Sequence, residues 1–227
     1  MTRRIPFGYS LLAPVYDVAA NIGSLGAIPE AQRELLHALP EIQDLLIVGG
    51  GSGLCLRFVP WERVSGEVTF VDIAPGMLRK ARHIGRRLGV AERVRFVQSD
   101  VETLELERHF DALYTAFFLD QFSQPRCETL LQSLDARLVP GGVWLDVDFS
   151  RHVQGRSARF YHTMAVPLLY RFFRLFCGIE ASSLPDPQVF WPARRYVCLW
   201  ESSYPRASIV GQMLKKPLDS YDEIDCS

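Results

Sequence analysis

The amino-acid sequence predicts an α/β fold, a doubly wound and mostly parallel seven-stranded sheet with an antiparallel C-terminal strand and a helical insertion before the last two strands. Three observations lead to this prediction. Short apolar runs alternate with helical stretches over the first 150 residues, residues 151–190 break that alternation, and two strand-like runs close the chain. Such alternation is the pattern expected of a parallel sheet covered by helices.

Five strands are predicted in the first 150 residues, since short and uninterrupted apolar runs are typical of strands buried on both faces. Pro29 and Pro75 each predict the start of a helix, because the fixed φ and missing N–H of proline suit the first turn. A third, amphipathic helix is predicted from Cys127 to a turn at Pro140. The five predicted strands are residues 45–48, 68–71, 94–97, 110–117 and 143–148.

The remainder of the chain predicts an elaboration of this core. Residues 151–190 are strongly apolar and aromatic, which predicts a helical insertion, bent near Pro167 and packed over the carboxyl edge of the sheet. Residues 196–201 and 207–214 predict two antiparallel strands, since the link between them is short. We therefore expect one domain in four parts, a cap (1–40), a core (41–150), the insertion (151–190) and the final strands and tail (191–227).

Charge and cysteine content exclude several classes of function. The chain has 25 Lys+Arg and 26 Asp+Glu, so its net charge of −1 offers no long-range attraction for a nucleic acid. Its five cysteines are scattered without a C-x-x-C pair, which argues against a disulfide framework and a zinc site, so no metal is expected. No apolar run approaches the ~20 residues of a membrane-spanning helix. The sequence predicts a cytoplasmic protein and leaves its oligomeric state open.

A glycine-rich turn, Gly49-Gly50-Gly51-Ser52-Gly53, follows the first predicted strand and precedes an apparent helix. Glycine permits a sharp turn and the close approach of a ligand to the backbone, and a helix N-terminus suits a carboxylate or phosphate. The dinucleotide fingerprint G-x-G-x-x-G does not fit, because the sixth position is Leu54 counted from Gly49 and Leu56 counted from Gly51.

The spacing Gly49-x-Gly51-x-Gly53 resembles the G-x-G-x-G turn of class I S-adenosylmethionine (SAM)-dependent methyltransferases. Further matches follow in the order typical of that family, namely Asp72 at the end of the second strand, Asp100-Val101 after the third, and the segment 138–142 before the fifth. The N-terminal segment SLLAPVYDVAA and the strand–turn–strand tail resemble the ends of small methyltransferases.

This resemblance implies that SAM is the cofactor and assigns roles to individual residues. Gly49, Gly51 and Gly53 form the cofactor turn, and Asp72 accepts both ribose hydroxyls. Asp100 accepts the adenine amino group while the backbone N–H of Val101 meets a ring nitrogen. The resemblance also places Ile73, next to Asp72, and Tyr16, which closes over the cofactor, among the cofactor-binding residues.

One departure from the family pattern concerns the position two places before the first motif glycine. The family commonly has an acidic residue there, which helps to hold the methionine end of SAM, whereas this chain has Ile47. Asp44 is close in sequence but out of phase along the strand. This departure leaves open the alternative of a SAM-binding or scaffold protein that has lost methyl transfer.

Methyl transfer from a sulfonium is an in-line displacement, for which the protein supplies mainly alignment. A general base is needed only when the acceptor must lose a proton. The candidates for the acceptor side are Tyr16, Tyr114, His152 and His162. Tyr16 is favoured as a residue that closes over the cofactor. The alternative interpretation, which the sequence favours, makes His152 an exposed loop residue and His162 a packed helical residue.

The aromatic residues of segment 160–176 can be core or can cap the site. In the second case the acceptor is a small or medium-sized, apolar or aromatic molecule, and a lipid or quinone acceptor would follow if the segment instead faced a membrane surface. A nicotinamide-dependent oxidoreductase is the remaining alternative, disfavoured by the glycine spacing, Asp100 and the antiparallel tail.

Overall fold

A computed structural model describes residues 26–104, 108–149, 185–187 and 190–218 of the chain. These residues form one seven-stranded sheet with the strand order β3-β2-β1-β4-β5-β7-β6. The strands are β1 (Leu45–Val48), β2 (Val68–Asp72), β3 (Val94–Gln98), β4 (Phe110–Ala116), β5 (Leu138–Phe149), β6 (Val197–Tyr204) and β7 (Ile209–Lys215).

Strands β1 to β5 pair in parallel, and β7 runs antiparallel to both of its neighbours, β5 and β6. The structure thus confirms the predicted seven-stranded, mostly parallel sheet and the antiparallel pair at its end. The predicted helical insertion falls largely outside the described residues, which resume at 185–187 and then at 190.

Within the described ranges four α-helices accompany the sheet, namely α1 (Ala27–His37), α2 (Pro75–Arg87), α3 (Gln124–Asp135) and α4 (Phe190–Ala193). Helix α1 begins two residues earlier than Pro29 predicts. The proline stands instead at the third position of the first turn, where its missing N–H has no intrahelical acceptor to lose. Helix α2 begins at Pro75, as the sequence predicts.

The predicted turn at Pro140-Gly141-Gly142 is wrong, because these residues lie within β5, which begins at Leu138. The pairing with β4 is irregular here, since Phe110 lies opposite Leu138 and Ala112 lies opposite Val143. Proline cannot donate to a regular ladder, so the extra residues form a bulge that accommodates it.

Each face of the sheet buries its own hydrophobic core. One core lies under α1 and α2 and includes the buried Leu35, Leu36 and Leu39. The other core lies under α3 and α4 and is centred on Trp144 and Trp191, whose rings meet edge to face with centroids 4.9 Å apart. In the part of the chain that the structure describes, no helix is long and apolar enough to cross a membrane.

Candidate cofactor site

The candidate site lies at the carboxyl ends of the parallel strands, where β1 has β2 on one side and β4 on the other. Strand order reverses at this point, and ligands of open α/β sheets bind in the crevice that the reversal creates. The glycine turn begins directly after β1. Its first residue is tied to β2, since the backbone N–H of Gly49 donates to the carbonyl of Val71 at 2.9 Å.

The three motif glycines all adopt positive φ, +63° at Gly49, +58° at Gly51 and +83° at Gly53. A Cβ on Gly49 would stand 2.3 Å from the Phe118 ring, and one on Gly53 would stand 2.6 Å from the Ala81 backbone in α2. A Cβ on Gly51 would meet nothing within 4 Å. Gly49 and Gly53 therefore serve internal packing, while Gly51 borders open space from which a ligand can approach the backbone.

The helix expected after the glycine turn is a single 3-10 turn, Leu54–Arg57. An α-helix would need the N–H of residue 60 to bond the carbonyl of Leu56, but residue 60 is proline and has no N–H. The indole N–H of Trp61 donates to that carbonyl instead, at 3.1 Å. The prediction of an α-helix N-terminus at this turn is therefore wrong. The N–H groups available to a ligand here are those of the glycine turn itself.

Asp72 fixes the shape of the glycine turn. Its Oδ2 accepts the backbone N–H of Gly51 at 2.8 Å, and its Oδ1 accepts that of Ala74 at 2.7 Å. Burial raises the pKa of Asp72, while the two N–H donors lower it. A carboxylate offers about four lone-pair positions, so two remain for a ligand next to the open side of Gly51.

Asp100 follows β3 on the same edge of the sheet. The backbone N–H of Ser99 donates to the carbonyl of Asp72 at 3.3 Å, which joins the ends of β3 and β2. The Asp100 carboxylate accepts the N–H of Glu102 at 3.1 Å and caps the short turn that begins at the buried Val101. Two strand spacings of ~4.8 Å separate β1 from β3, so the ends of these two strands lie ~10 Å apart.

The structure thus brings Gly51, Asp72 and Asp100 to neighbouring strand ends, with the half-buried Ile73 beside Asp72. Their individual roles in binding stay predictions. Tyr16, His152, His162 and segment 160–176 lie outside the described residues.

Tyr114 lies within the core, opposite Ile47 of β1 and Leu145 of β5. It is 1% exposed, and among the described residues its hydroxyl has no hydrogen-bond partner. Burial is the main cause that raises its pKa well above the ordinary value. The hydroxyl therefore stays protonated, which suits a hydrogen-bond donor better than the general base considered from the sequence.

Ile47 is fully buried among apolar neighbours, and nothing near it in sequence supplies the missing acid. The carboxylate of Asp44 is engaged elsewhere, since Oδ1 accepts the backbone N–H of Glu67 at 2.8 Å and Oδ2 lies 3.6 Å from the guanidinium of Arg108. Asp44 therefore holds strands together at the opposite end of β1 and cannot substitute for an acid at position 47.

Sequence reasoning missed a group of buried acids at the ends of β4 and β5. The Thr115 hydroxyl donates to Asp146 at 2.6 Å and accepts the indole N–H of Trp144 at 3.0 Å. Asp148 accepts the backbone N–H of Asp120 at 3.1 Å. The signal was present in the sequence, since acids at alternate positions of a predicted buried strand share one face.

Electrostatics set these acids apart from ordinary surface carboxylates. Burial raises the pKa of Asp146 to about 6. The pKa of Asp148 is raised well above its ordinary value, first by burial and then by repulsion from Asp120 and Asp146. The group therefore holds protons at a pH where exposed carboxyls have lost them. Within the described residues no cluster of histidine, cysteine and acidic side chains could hold a metal ion.

Sequence comparison matches residues 45–142 to the methyltransferase domain family. The Azotobacter vinelandii protein named ubiquinone/menaquinone biosynthesis C-methyltransferase UbiE is 41% identical over 153 residues, which is 66% of this chain and 60% of that protein. The protein of the same name from Ectopseudomonas mendocina is 35% identical over 67% of this chain and 60% of its own length. The chain thus spans about 60% of the length of these relatives.

Solved structures share the fold at low sequence identity. The N-methyltransferase NodS from Bradyrhizobium japonicum WM9, in complex with S-adenosyl-L-homocysteine (SAH), superposes with a TM-score of 0.60 at 12% identity, over 83% of this chain and 85% of that one. The DhpI–SAH complex gives 0.65 at 17% identity, over 96% and 99%. With the family match and the strand order, these similarities lead to one conclusion: residues 45–142 form a methyltransferase domain, within a chain that has the fold of the class I SAM-dependent methyltransferases.

Proposed function

We propose that this protein transfers the methyl group of SAM to a small or medium-sized acceptor that is apolar or aromatic. The observation that carries the proposal is the 2.8 Å hydrogen bond from the Gly51 backbone to Asp72. It places a partly unused carboxylate next to the one motif glycine that borders open space, at the point where strand order reverses.

The residues present fit an adenosine moiety. Asp72 retains acceptor positions for two ribose hydroxyls, as ribose recognition at the end of a β2 strand requires. Asp100 follows β3, which ends ~10 Å from the end of β1, a spacing that lets the carboxylate meet the base while the glycine turn meets the methionine end. Bound SAM supplies an activated methyl group, and the protein's own contribution is to align it and to exclude water.

The relatives' names point to a ring carbon of a quinone-type precursor as the acceptor. Methylation at carbon releases a ring proton, so the acceptor side then needs a group that takes it up. Asp148 lies near the end of β5, on the far side of the crevice from Asp72, and burial raises its pKa well above the ordinary value, which makes its ionised form a stronger base. Tyr16, His152 and His162 remain candidates for the same task.

A second candidate function is SAM binding without methyl transfer, which the apolar Ile47 favours. Its side chain offers no hydrogen-bond acceptor to the ammonium of the methionine end, so weaker or unproductive binding would follow. The nicotinamide-dependent oxidoreductase receives no support, since the family match is to methyltransferases.

Calorimetry with SAM, SAH and NAD tests the proposal. We expect binding of both sulfur ligands and none of NAD, and the reverse pattern would reject the proposed cofactor. Transfer of a labelled methyl group from SAM to a demethylated quinol then separates the two candidates. SAM binding with no labelled product across quinol, phenol and amine acceptors would favour the protein without transfer activity.

A further inference from the structure

Tyr114 carries a buried hydroxyl that the described part of the protein leaves without a hydrogen-bond partner. The side chain is 1% exposed, so bulk water does not reach the hydroxyl either. Buried polar groups of folded proteins are almost always paired, and one that is not destabilises the fold. A phenylalanine would fill nearly the same volume without that cost. The hydroxyl is therefore best explained by a partner that binds to the protein.

Tyr114 stands in the same row of the sheet as the position where the family pattern has an acid. Ile47 of β1 has Phe70 of β2 as its neighbour on one side and Tyr114 of β4 on the other. All three side chains belong to the core under α1 and α2, so they project from the same face of the sheet. Neighbouring strands lie only ~4.8 Å apart. The Tyr114 side chain therefore lies beside the space that an acid at position 47 would occupy.

The side chains of this row reach the level of the glycine turn. Phe70 shows this directly, because a Cβ on Gly50 would stand 2.3 Å from the tip of its ring. Tyr114 carries a ring of the same length on the other side of β1. It packs in the same core as Cys55, which lies in the 3-10 turn directly after the glycines. Cys55 is also close enough to contribute to the raised pKa of Tyr114. The tyrosine therefore extends towards the segment that forms the candidate cofactor site.

We propose that Tyr114 takes the place of the absent acid, its hydroxyl oxygen accepting a hydrogen bond from the ammonium group at the methionine end of SAM. This inference rests on the proposed function, since it concerns the cofactor named there. A tyrosine oxygen accepts as well as donates hydrogen bonds, and an ammonium group has three donors to offer. Because the contact is shielded from water, it is stronger than the same contact at the surface. With Tyr114 in this role, Ile47 does not by itself imply a loss of methyl transfer.

Calorimetry of Tyr114→Phe with three ligands tests the proposal, because this variant removes only the hydroxyl. Affinity for SAM should fall about ten-fold or more, the size expected for a lost hydrogen bond to a charged group. Decarboxylated SAM, which keeps the amino group, should show the same loss. Methylthioadenosine, which lacks the whole amino-acid end, should bind the variant and the unaltered protein equally.

Tyr196→Phe is the matched control, because the buried Tyr196 hydroxyl has a partner within the protein, donating to Asp135 at 2.6 Å. We expect the two variants to give opposite patterns. Thermal melting without ligand should show a lower melting temperature for Tyr196→Phe and no loss for Tyr114→Phe, whose hydroxyl makes no hydrogen bond before SAM binds. SAM affinity should be unchanged in Tyr196→Phe.

The results that would overturn the proposal follow from the same measurements. SAM or decarboxylated SAM affinity that is unchanged in Tyr114→Phe overturns it, and so does an equal loss for methylthioadenosine, which would place the hydroxyl against the adenosine. A lower melting temperature of ligand-free Tyr114→Phe also overturns it, because the hydroxyl would then have a partner within the protein. If the unaltered protein binds no SAM at all, the proposed function fails together with this inference.

Discussion

Buried carboxylates occur at strand ends in both halves of the sheet, but their surroundings differ. In the half formed by β1, β2 and β3, Asp72 accepts two backbone N–H groups of the turns beside it. In the half formed by β4 and β5, Asp148 faces repulsion from Asp120 and Asp146. Burial raises the pKa of the acid in each case.

This difference separates two uses of a buried acid. Asp72 organises a backbone turn and keeps lone pairs that are not used by those two hydrogen bonds, which suits the ribose-binding role that we propose for it. The acids of the second half cannot all ionise close together, since like charges in a buried site raise one another's pKa. Those acids therefore hold protons to a higher pH than an exposed carboxyl does, and an ionised acid among them is a stronger base towards an acceptor that must lose a proton.

The largest expected effect comes from Asp72→Ala, which should weaken SAM affinity by about 2–4 kcal/mol, or about 30- to 1,000-fold, because two charge-assisted contacts are lost. Calorimetry measures it. Asp111→Ala is the matched control, since that carboxylate also accepts two backbone N–H groups, those of Gln43 and Asp44, but at the other end of the sheet. Equal affinity losses in both variants would contradict a specific role for Asp72.

Alanine variants of Gly51 and Gly53 test, within one turn, the difference between a glycine that borders open space and one that serves internal packing. Each alanine variant bears the cost of a left-handed backbone, about 1–2 kcal/mol. Gly53→Ala also drives a Cβ to 2.6 Å from the backbone of α2, so its free energy of unfolding should fall by about 3 kcal/mol or more. Gly51→Ala should lose less stability and more SAM affinity. Urea denaturation measures the loss of stability and calorimetry the loss of SAM affinity. A larger loss of stability in Gly51→Ala than in Gly53→Ala would contradict the prediction.

The smallest expected effect concerns the protonation of Asp146. Because its folded-state pKa is raised from 3.8 to about 6, the protein should lose stability as the pH rises through that window, by up to about 1.4 kcal/mol per pH unit. The Asp146→Asn variant has no carboxyl at this position to titrate, so its free energy of unfolding should fall less over the same pH window. Urea denaturation at about pH 4.5 and about pH 7 measures both proteins, and identical pH dependence would show that Asp146 ionises normally.

The apolar runs of this chain predicted the sheet because strands such as β1 and β2 are buried along their whole length, which leaves a signal in composition alone. Predictions failed where tertiary partners decide the outcome. The 3-10 turn after Gly53 depends on Pro60 and Trp61, and the bulge before Val143 depends on pairing with β4. Both lie beyond the reach of local periodicity.

The candidate site, like the fold, could be predicted from the sequence only in part. Glycines and strand-end acids at family spacing predicted that Gly51, Asp72 and Asp100 would share one edge. The sequence did not reveal which glycine borders open space, since that depends on Phe118 and α2. It also gave no warning that Tyr114 lies inside the core, because one tyrosine in a buried strand can face either side of the sheet.

Hydrogen–deuterium exchange with and without SAH tests most directly whether the glycine turn, Asp72 and Asp100 form a single adenosine slot. Peptides over residues 49–53, 72–74 and 99–102 should all gain protection on binding, while β6 should not change. Protection confined to one of the three segments, or found only elsewhere in the chain, would contradict the assignment of the site.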